Sequence, residues 1–192
     1  MVYIKYLVRV DAEKCKGCGK CANVCPTEAI QVQEKMAKVE DEKCLACQNC
    51  TGVCPEDAIT KILRVKPLKL GVNYEEVDQA GIEDLCRKAH LHPKQWLCLC
   101  TATRVRDGAA AVLKGAKTPE EIALMTGIRS GCAAYCLMLS MRLLEAHGVE
   151  LKQPKGYRWY KTTHTLWDVP RKLIEKYPGY FLEEDKDVFR KF

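Results

Sequence analysis

The sequence has no feature that would place it in a membrane or in a secretory pathway. Nothing in its 192 residues approaches the roughly 18 to 20 consecutive apolar residues that a membrane-spanning helix needs. The opening stretch MVYIKYLVRV lacks the basic start, uninterrupted apolar region and small-residue cleavage site of a signal peptide. These two absences predict a cytoplasmic protein without a membrane span.

Motifs for nucleotide binding and for catalysis are also missing. No G-x-G-x-x-G opens a helix after a strand and no P-loop is present, so there is no visible place for flavin, nicotinamide or ATP. None of the four histidines is spaced from a carboxylate or a nucleophile in a recognisable catalytic pattern. We therefore predict that the chain has no catalytic site of its own.

Cysteine, by contrast, is abundant. Eight of the thirteen cysteines fall in two runs, CKGCGKCANVCP and CLACQNCTGVCP, which share the spacing C-x2-C-x2-C-x3-C-P at an offset of 29 residues. In a chain without a signal peptide this density favours metal ligation over a disulfide scaffold. Zinc or disulfides are the alternatives, but zinc sites use paired cysteines rather than a triplet followed by Cys-Pro.

The two runs resemble those of the bacterial two-cluster 4Fe-4S ferredoxins, over residues 1 to about 64. The resemblance implies an α+β fold with short antiparallel strands and two 4Fe-4S clusters. It also implies that the fourth cysteine of each run ligates the cluster of the other run. On that basis the ligands of one cluster are Cys15, Cys18, Cys21 and Cys54, and those of the other are Cys44, Cys47, Cys50 and Cys25.

Local patterns around the runs predict a repeated unit. Residues 2–10 are rich in β-branched and aromatic residues and predict a strand, and each run is followed by a short helical turn and an extended segment. Two such copies are expected to pack about a pseudo-twofold axis. Residues 65–80 contain a proline and a glycine without a sustained period and are interpreted as a connection. The next segment, residues 81–91, predicts a helix that buries Cys86 as a small hydrophobe.

Four further cysteines flank a set of well-delimited helices. Helices are predicted for residues 103–114, from Thr118 to Gly127, and for about 133–147. This arrangement resembles the bacterioferritin-associated ferredoxin-like 2Fe-2S domain, which implies a small all-α helix-loop-helix domain and one 2Fe-2S cluster. The ligands that the resemblance implies are Cys98, Cys100, Cys132 and Cys136. The second pair has the spacing C-x3-C instead of the usual C-x2-C, and zinc or a third 4Fe-4S cluster are the alternatives.

The last 42 residues have a different composition. They carry nine of the fourteen aromatic residues: Tyr157, Trp159, Tyr160, Trp167, Tyr177, Tyr180, Phe181, Phe189 and Phe192. We interpret them as an irregular docking extension with one helix at residues 171–176 and a solvated acidic run at residues 183–185. The aromatic side chains must bury against the chain's own domains or against a partner subunit. The acidic residues argue against a groove for single-stranded nucleic acid.

The expected domain organisation follows from these segments. It comprises a two-cluster 4Fe-4S domain at residues 1–64, a connection with a short helix at 65–95, a helical 2Fe-2S domain at 96–150 and the docking extension at 151–192. The formal net charge of +6 is expected to fall to about zero with three clusters bound, because each thiolate-ligated cluster carries a charge of about −2. The basic balance is therefore no sign of nucleic-acid binding.

Three one-electron centres without a substrate site predict an electron-transfer subunit of a multisubunit oxidoreductase. Single electrons would be relayed through two 4Fe-4S clusters and one 2Fe-2S cluster. The 2Fe-2S family often accompanies flavin-dependent dehydrogenases, so the resemblance implies a flavin-containing catalytic subunit as partner in a hetero-oligomer, and no nucleic acid. The alternatives are a free-standing polyferredoxin and an iron-sulfur sensor or regulatory binding module.

Overall fold

The computed structural model describes residues 2–132, 134–152 and 165–189, which belong to two compact units, Met1–Trp159 and Tyr160–Phe192. Helices are mixed with small antiparallel sheets, in agreement with an α+β fold. The strands are β1 (Val2–Val10), β2 (Ile30–Gln33), β3 (Met36–Val39), β4 (Ile59–Leu70), β5 (Trp96–Cys98) and β6 (Thr103–Arg104). The helices of the first unit are α1 (Lys20–Val24), α2 (Asn49–Gly52), α3 (Gln79–Lys88), α4 (Val105–Leu113), α5 (Pro119–Thr126) and α6 (Tyr135–Ala146).

The two cysteine runs belong to two copies of one backbone unit. Strand β1 pairs with β4 and strand β2 pairs with β3, so the first strand of each copy lies against the last strand of the other. Val10 is paired with Ile59, and Ile30 is paired with Val39, which are equivalent pairs at the 29-residue offset. The predicted strand at residues 2–10 and the predicted pseudo-twofold packing are both present.

Strand β4 is longer than the sequence pattern indicated. It continues to Leu70 because the far end of β1 extends the pairing, with Val2 opposite Leu70 and Ile4 opposite Leu68. The predicted connection, residues 65–80, is therefore wrong in its first part, which is strand. Pro67 is accommodated because it lies in the irregular stretch between the Ile4 and Tyr6 pairings, where the ladder is interrupted.

The helical part of the first unit packs around α4. Three consecutive alanines in this helix, Ala109, Ala110 and Ala111, are completely buried, so that neighbouring helices approach closely. Helix α3 contributes the face predicted from its period, including the fully buried Cys86. A separate apolar cluster surrounds the two cysteine runs, built from β-strand residues and from several of the cysteines themselves.

Two boundaries in the helical part differ from the prediction. The first helix begins at Val105 rather than residue 103, because Thr103 and Arg104 pair with β5 as a short strand. A purely helical domain was therefore too simple an expectation. Helix α5 has the predicted start and end: the Thr118 hydroxyl accepts the N–H of Glu121 at 3.1 Å, and Gly127 terminates the helix in a left-handed conformation. Helix α6 begins at Tyr135, two residues later than predicted.

The second unit, where described, is more regular than the expected irregular extension. It contains the predicted helix α7 (Arg171–Lys176) and a helix that was not predicted, α8 (Leu182–Phe189). The acidic run at residues 183–185 is exposed, as expected, and occupies the first turn of α8, where negative charge stabilises the helix N-terminus. Four of the nine aromatic residues predicted for docking, Tyr157, Trp159, Tyr160 and Phe192, lie outside the described residues.

Within the described ranges, no helix has both the length and the apolar composition that crossing a membrane requires.

Candidate metal centres

Three cysteines of the first run share a cavity with one cysteine of the second run. The cavity has about 350 Å³ of empty space, and its cysteines are Cys15, Cys18, Cys21 and Cys54. Small apolar side chains, including Val10, Ala37, Ala58 and Ile59, form much of the remaining wall. Cys21 is buried whereas Cys18 is exposed, so the Cys18 side of this cavity is the one closer to solvent.

A second cavity, of about 300 Å³, has the complementary composition. It is lined by three cysteines of the second run and one of the first: Cys44, Cys47, Cys50 and Cys25. Three of these are buried and Cys47 is partly buried, so the cysteines of this cavity are less exposed than those of the first. The structure thus brings together the same two sets of four cysteines that the sequence resemblance implied, and ligation by these sets remains a prediction.

Left-handed backbone conformations shape both cysteine loops in the same way. In the first run they fall on glycines, with φ of 66° at Gly17 and 78° at Gly19. The equivalent positions of the second run are Ala46, with φ of 54°, and Gln48, with φ of 64°. Left-handed backbone turns the chain sharply between successive cysteines, so that their side chains face one cavity. The repeat therefore keeps its backbone path even where the glycines are replaced.

Backbone N–H groups are directed at sulfur atoms in the first cavity. Ala37 donates to Cys15 Sγ at 3.5 Å and Ala58 donates to Cys54 Sγ at 3.4 Å. Such N–H···S contacts stabilise negative charge on sulfur and are one of the ways in which a protein tunes an iron-sulfur centre.

Burial raises the thiol pKa values in these sites. The pKa of Cys50 rises to about 12, chiefly because burial disfavours the thiolate, with further contributions from the neighbouring cysteines. Burial also raises the pKa values of Cys21 and Cys47. Without a metal these thiols would be protonated near neutral pH, so metal binding must release protons as the thiolates form.

The remaining four cysteines meet at the junction of β5 and α6. Cys98 lies close enough to Cys136, and Cys100 to Cys132, to contribute to the pKa of its neighbour's thiol. Cys98 and Cys136 are buried, whereas Cys100 and Cys132 are exposed. One side of this four-cysteine site therefore faces solvent. Gly131 permits the close approach, because a β-carbon there would lie 2.7 Å from Cys100 Sγ.

Helix α6 contains only one cysteine of the C-x3-C pair. Cys132 precedes the helix, and only Cys136 lies in its first turn. The backbone N–H groups of Ala134 and Tyr135 instead lower the pKa of the Cys132 thiol. The start of the helix therefore stabilises a thiolate at Cys132, as expected for a cysteine at a helix N-terminus.

Two arginines that the sequence patterns did not single out lie beside the ligand loops. Arg64 donates to the carbonyl oxygens of Cys44 and Tyr6. The Arg129 guanidinium donates to the Pro26 carbonyl, and its backbone N–H acts to lower the pKa values of Cys98 and Cys136. No local pattern indicated these contacts, because each joins segments that are far apart in sequence.

The cysteine sets are arranged around cavities rather than around single points. Among residues 2–132, 134–152 and 165–189, no group of three or more His, Cys, Asp or Glu side chains is placed to hold one metal ion. An iron-sulfur cubane is held by one cysteine per iron, so its ligands stand further apart than those of a single ion. The two cavities fit such a group in their donor set and in the space between their cysteines.

Comparison with known proteins identifies the class of domain that contains these two cavities. Residues 5–61 match the family model described as a 4Fe-4S dicluster domain. The chain therefore carries a 4Fe-4S dicluster ferredoxin domain in this region, with iron-sulfur electron transfer as its implied activity.

The chain is also similar to a ferredoxin, the protein named Ferredoxin-2 from Desulfomicrobium norvegicum. The two are 50% identical over 32 residues, which is 17% of this chain and 54% of that protein. The chain thus spans about half the length of this curated relative. Both comparisons concern a minority of the 192 residues, and the helical part and the second unit are interpreted from their own structure.

Proposed function

We propose that this protein is the electron-transfer subunit of a multisubunit oxidoreductase, with two 4Fe-4S clusters and one 2Fe-2S cluster. The observation that carries the proposal is the composition of the two cavities, each lined by three cysteines of one run and one of the other. This is the ligand exchange that the C-x2-C-x2-C-x3-C-P spacing specifies in two-cluster ferredoxins.

The residues of the first unit would hold the clusters and restrict their contact with water. The twelve cysteines would supply thiolates, and apolar side chains such as Val8, Ala29 and Ile30 surround the buried ones. Clusters in these sites would supply reversible one-electron oxidation and reduction. Exposure of Cys18 in the first cavity and of Cys100 and Cys132 in the four-cysteine site marks two surfaces at which a redox partner could approach closely.

The four-cysteine site supports a third centre. Cys98 lies beside Cys136 and Cys100 lies beside Cys132, and backbone N–H groups of three separate segments act to lower the pKa values of these thiols. Four thiolates with this support are a complete ligand set for a 2Fe-2S cluster. We assign this cluster type on the resemblance of residues 96–150 to the bacterioferritin-associated ferredoxin-like domain.

The second unit supports a docking role. Tyr177, Tyr180 and Phe181 are 47%, 71% and 62% exposed, so three exposed aromatic side chains lie close together in the sequence. Exposed aromatic residues are typical anchors of protein interfaces. We propose that they bind a flavin-containing catalytic subunit in the cytoplasm, and that this chain breaks no substrate bond itself.

Iron and acid-labile sulfide measured per chain, with EPR on anaerobically prepared protein, test the proposal. We expect about ten irons per chain, four in each cubane and two in the third centre. About eight irons with one zinc would contradict the 2Fe-2S assignment, and about twelve would make the third centre a cubane. Full activity with soluble donors and acceptors, in native protein purified without a redox subunit, would contradict the role in a complex.

A further inference from the structure

Arg129 contacts two of the candidate centres from a single position in the chain. Its guanidinium Nη1 lies 3.3 Å from the carbonyl oxygen of Pro26, which directly follows Cys25 of the second cavity. Its backbone N–H acts to lower the pKa values of the Cys98 and Cys136 thiols in the four-cysteine site, and its positive charge acts in the same direction at Cys136. The side chain therefore contacts the loop of one site, and its charge also reaches Cys136 of the other site.

The arginine is held in place by a buried carboxylate. Nη1 of Arg129 also lies 2.7 Å from Glu120 Oε1, and the two side chains are only 5% and 10% exposed. Arg129 adopts a left-handed conformation with φ of 66°, which costs a non-glycine residue free energy and must be held by its surroundings. A buried ion pair contributes little net stability on average, because desolvation of both charges offsets their attraction. Its retention here therefore calls for a reason other than stability.

Charge placement provides that reason. The potential of an iron-sulfur centre depends on nearby charge, hydrogen bonds and burial, and charges act strongly where water is excluded. The guanidinium contacts the ligand loop of the second cavity at the Pro26 carbonyl, while the compensating carboxylate of Glu120 belongs to helix α5. Positive charge close to a centre favours its reduced state and raises its potential.

We propose that Arg129 is a positioning residue that sets the redox potentials of the second cubane and of the four-cysteine centre together, with Glu120 as its counter-charge. The inference rests on the proposed occupancy of both sites by iron-sulfur clusters. It places the second cubane, rather than the first, next to the third centre in the relay.

Opposite changes to the two partners separate an electrostatic role from a structural one. In Glu120→Gln the arginine keeps its charge without a counter-charge, so the midpoint potential of the second cubane should rise. In Arg129→Gln the positive charge is lost, so the same potential should fall. The rise should exceed the fall, because an unpaired buried carboxylate can bind a proton whereas a guanidinium cannot lose one. The double variant should lie close to the wild-type protein.

The measurement is an EPR-monitored redox titration of each variant, after iron and sulfide analysis of the same preparation. We expect the four-cysteine centre to shift with the second cubane and the first cubane to shift several-fold less. The matched control is Arg87→Gln, which removes an exposed arginine paired with Asp84 on α3 and should shift none of the potentials.

Several outcomes would overturn the assignment. Shifts of the same sign in both single variants, or unchanged potentials with full iron content, would leave Arg129 a purely structural residue. If Arg129→Gln fails to fold, Glu120→Gln and the double variant still decide, because a rise in the first and its reversal in the second are required. A four-cysteine site without iron in the wild-type protein would contradict the proposed third centre. The role of Arg129 at the second cubane would still be tested, because it requires opposite shifts of that potential in Glu120→Gln and Arg129→Gln.

Discussion

The backbone N–H of Asp11 donates to the carbonyl oxygen of Ala58 at 2.7 Å, and the equivalent pair at the 29-residue offset, Glu40 and Ala29, has the same geometry at 2.7 Å. Each bond joins the end of one copy's first strand to the segment after the other copy's cysteine run. The same pairing of segments between the two copies brings the fourth cysteine of each run into the cavity of the other run. The exchanged ligands and the paired strands are thus two consequences of one pseudo-twofold arrangement.

The two copies of the unit allow glycine and alanine to be exchanged at equivalent positions. Glycine can be replaced by alanine in the first copy, and alanine by glycine in the second. Gly17 and Ala46 both have positive φ, but only the first is glycine. A β-carbon at Gly17 would collide with the backbone of Lys35, and left-handed backbone costs a non-glycine residue about 1 to 2 kcal/mol. We expect Gly17→Ala to destabilise the protein by at least about 1 kcal/mol, as measured by anaerobic thermal unfolding followed by circular dichroism.

The reverse change, Ala46→Gly, should be neutral or stabilising by about 0.5 kcal/mol, because relief of the left-handed strain is partly offset by the entropy of glycine. Both variants should retain the wild-type iron content if the cysteine loops keep their path. Equal destabilisation by the two substitutions would show that the two loops do not have equivalent backbone conformations.

The crossed ligand sets predict which double variants lose one cluster and which lose two. Cys18 and Cys54 line the same cavity although they belong to different runs. We expect Cys18→Ser and the double variant Cys18→Ser/Cys54→Ser to lose the same amount of iron, about four irons per chain, since both damage one site. Iron and sulfide analysis measures the loss.

A second double variant provides the contrast. Cys25 belongs to the same run as Cys18 but lines the other cavity. Cys18→Ser/Cys25→Ser should therefore lose about eight irons per chain. Cys86→Ala, a change at a cysteine buried among apolar side chains, is the matched control and should lose none. The exchange of ligands between the runs would be refuted if Cys18→Ser/Cys54→Ser lost more iron than Cys18→Ser/Cys25→Ser.

Local sequence patterns were sufficient for the parts of the fold that depend on near neighbours. The spacing of the two runs predicted the repeat, and Thr118, Pro119 and Gly127 predicted both ends of α5, because capping is decided within a few residues. The helix α8 was missed because its eight residues have few apolar positions from which a period can be read.

Contacts between distant segments could not be predicted in this way. Arg129 and Pro26 are 103 residues apart in the chain, and no period or spacing relates them. The extension of β4 to Leu70 likewise depends on pairing with the opposite end of the unit, at Val2. The same limit applies to Arg64, whose partner Cys44 is 20 residues away in sequence. The sequence therefore located the cysteines, and the fold was needed to find the charged groups beside them.

The N-cap of α5 makes a separate prediction about stability. Thr118 is exposed, so replacing it removes the hydrogen bond to the Glu121 N–H without removing buried apolar surface. Thr118→Ala should destabilise the protein by about 1 kcal/mol, the usual cost of losing such a cap. Thr118→Ser keeps the hydroxyl and should retain most of the stability in the same thermal unfolding measurement. Equal losses in the two variants would assign the effect to the threonine methyl group rather than to the cap.

Cys86 predicts a dependence of stability on alkaline pH. Burial raises the pKa of this thiol to about 12, and an unfolded cysteine has a pKa of about 8.5. Because the folded-state pKa is the higher one, the folded protein retains the proton while the unfolded chain loses it. The contribution of Cys86 to stability is therefore fully present below about pH 8.5 and is lost as the pH rises toward 12.

The comparison with Cys86→Ala isolates this contribution from the other cysteines. The free energy of unfolding of the wild-type protein should fall relative to the variant by up to about 1.4 kcal/mol per pH unit above pH 8.5. Denaturant unfolding at pH 7.5, 8.5 and 9.5, under anaerobic conditions, measures the difference. A difference in unfolding free energy between the two proteins that stays constant across this range would contradict the prediction. It would mean that Cys86 gains solvent contact in the folded protein, because only a buried thiol resists ionisation while the unfolded chain forms the thiolate.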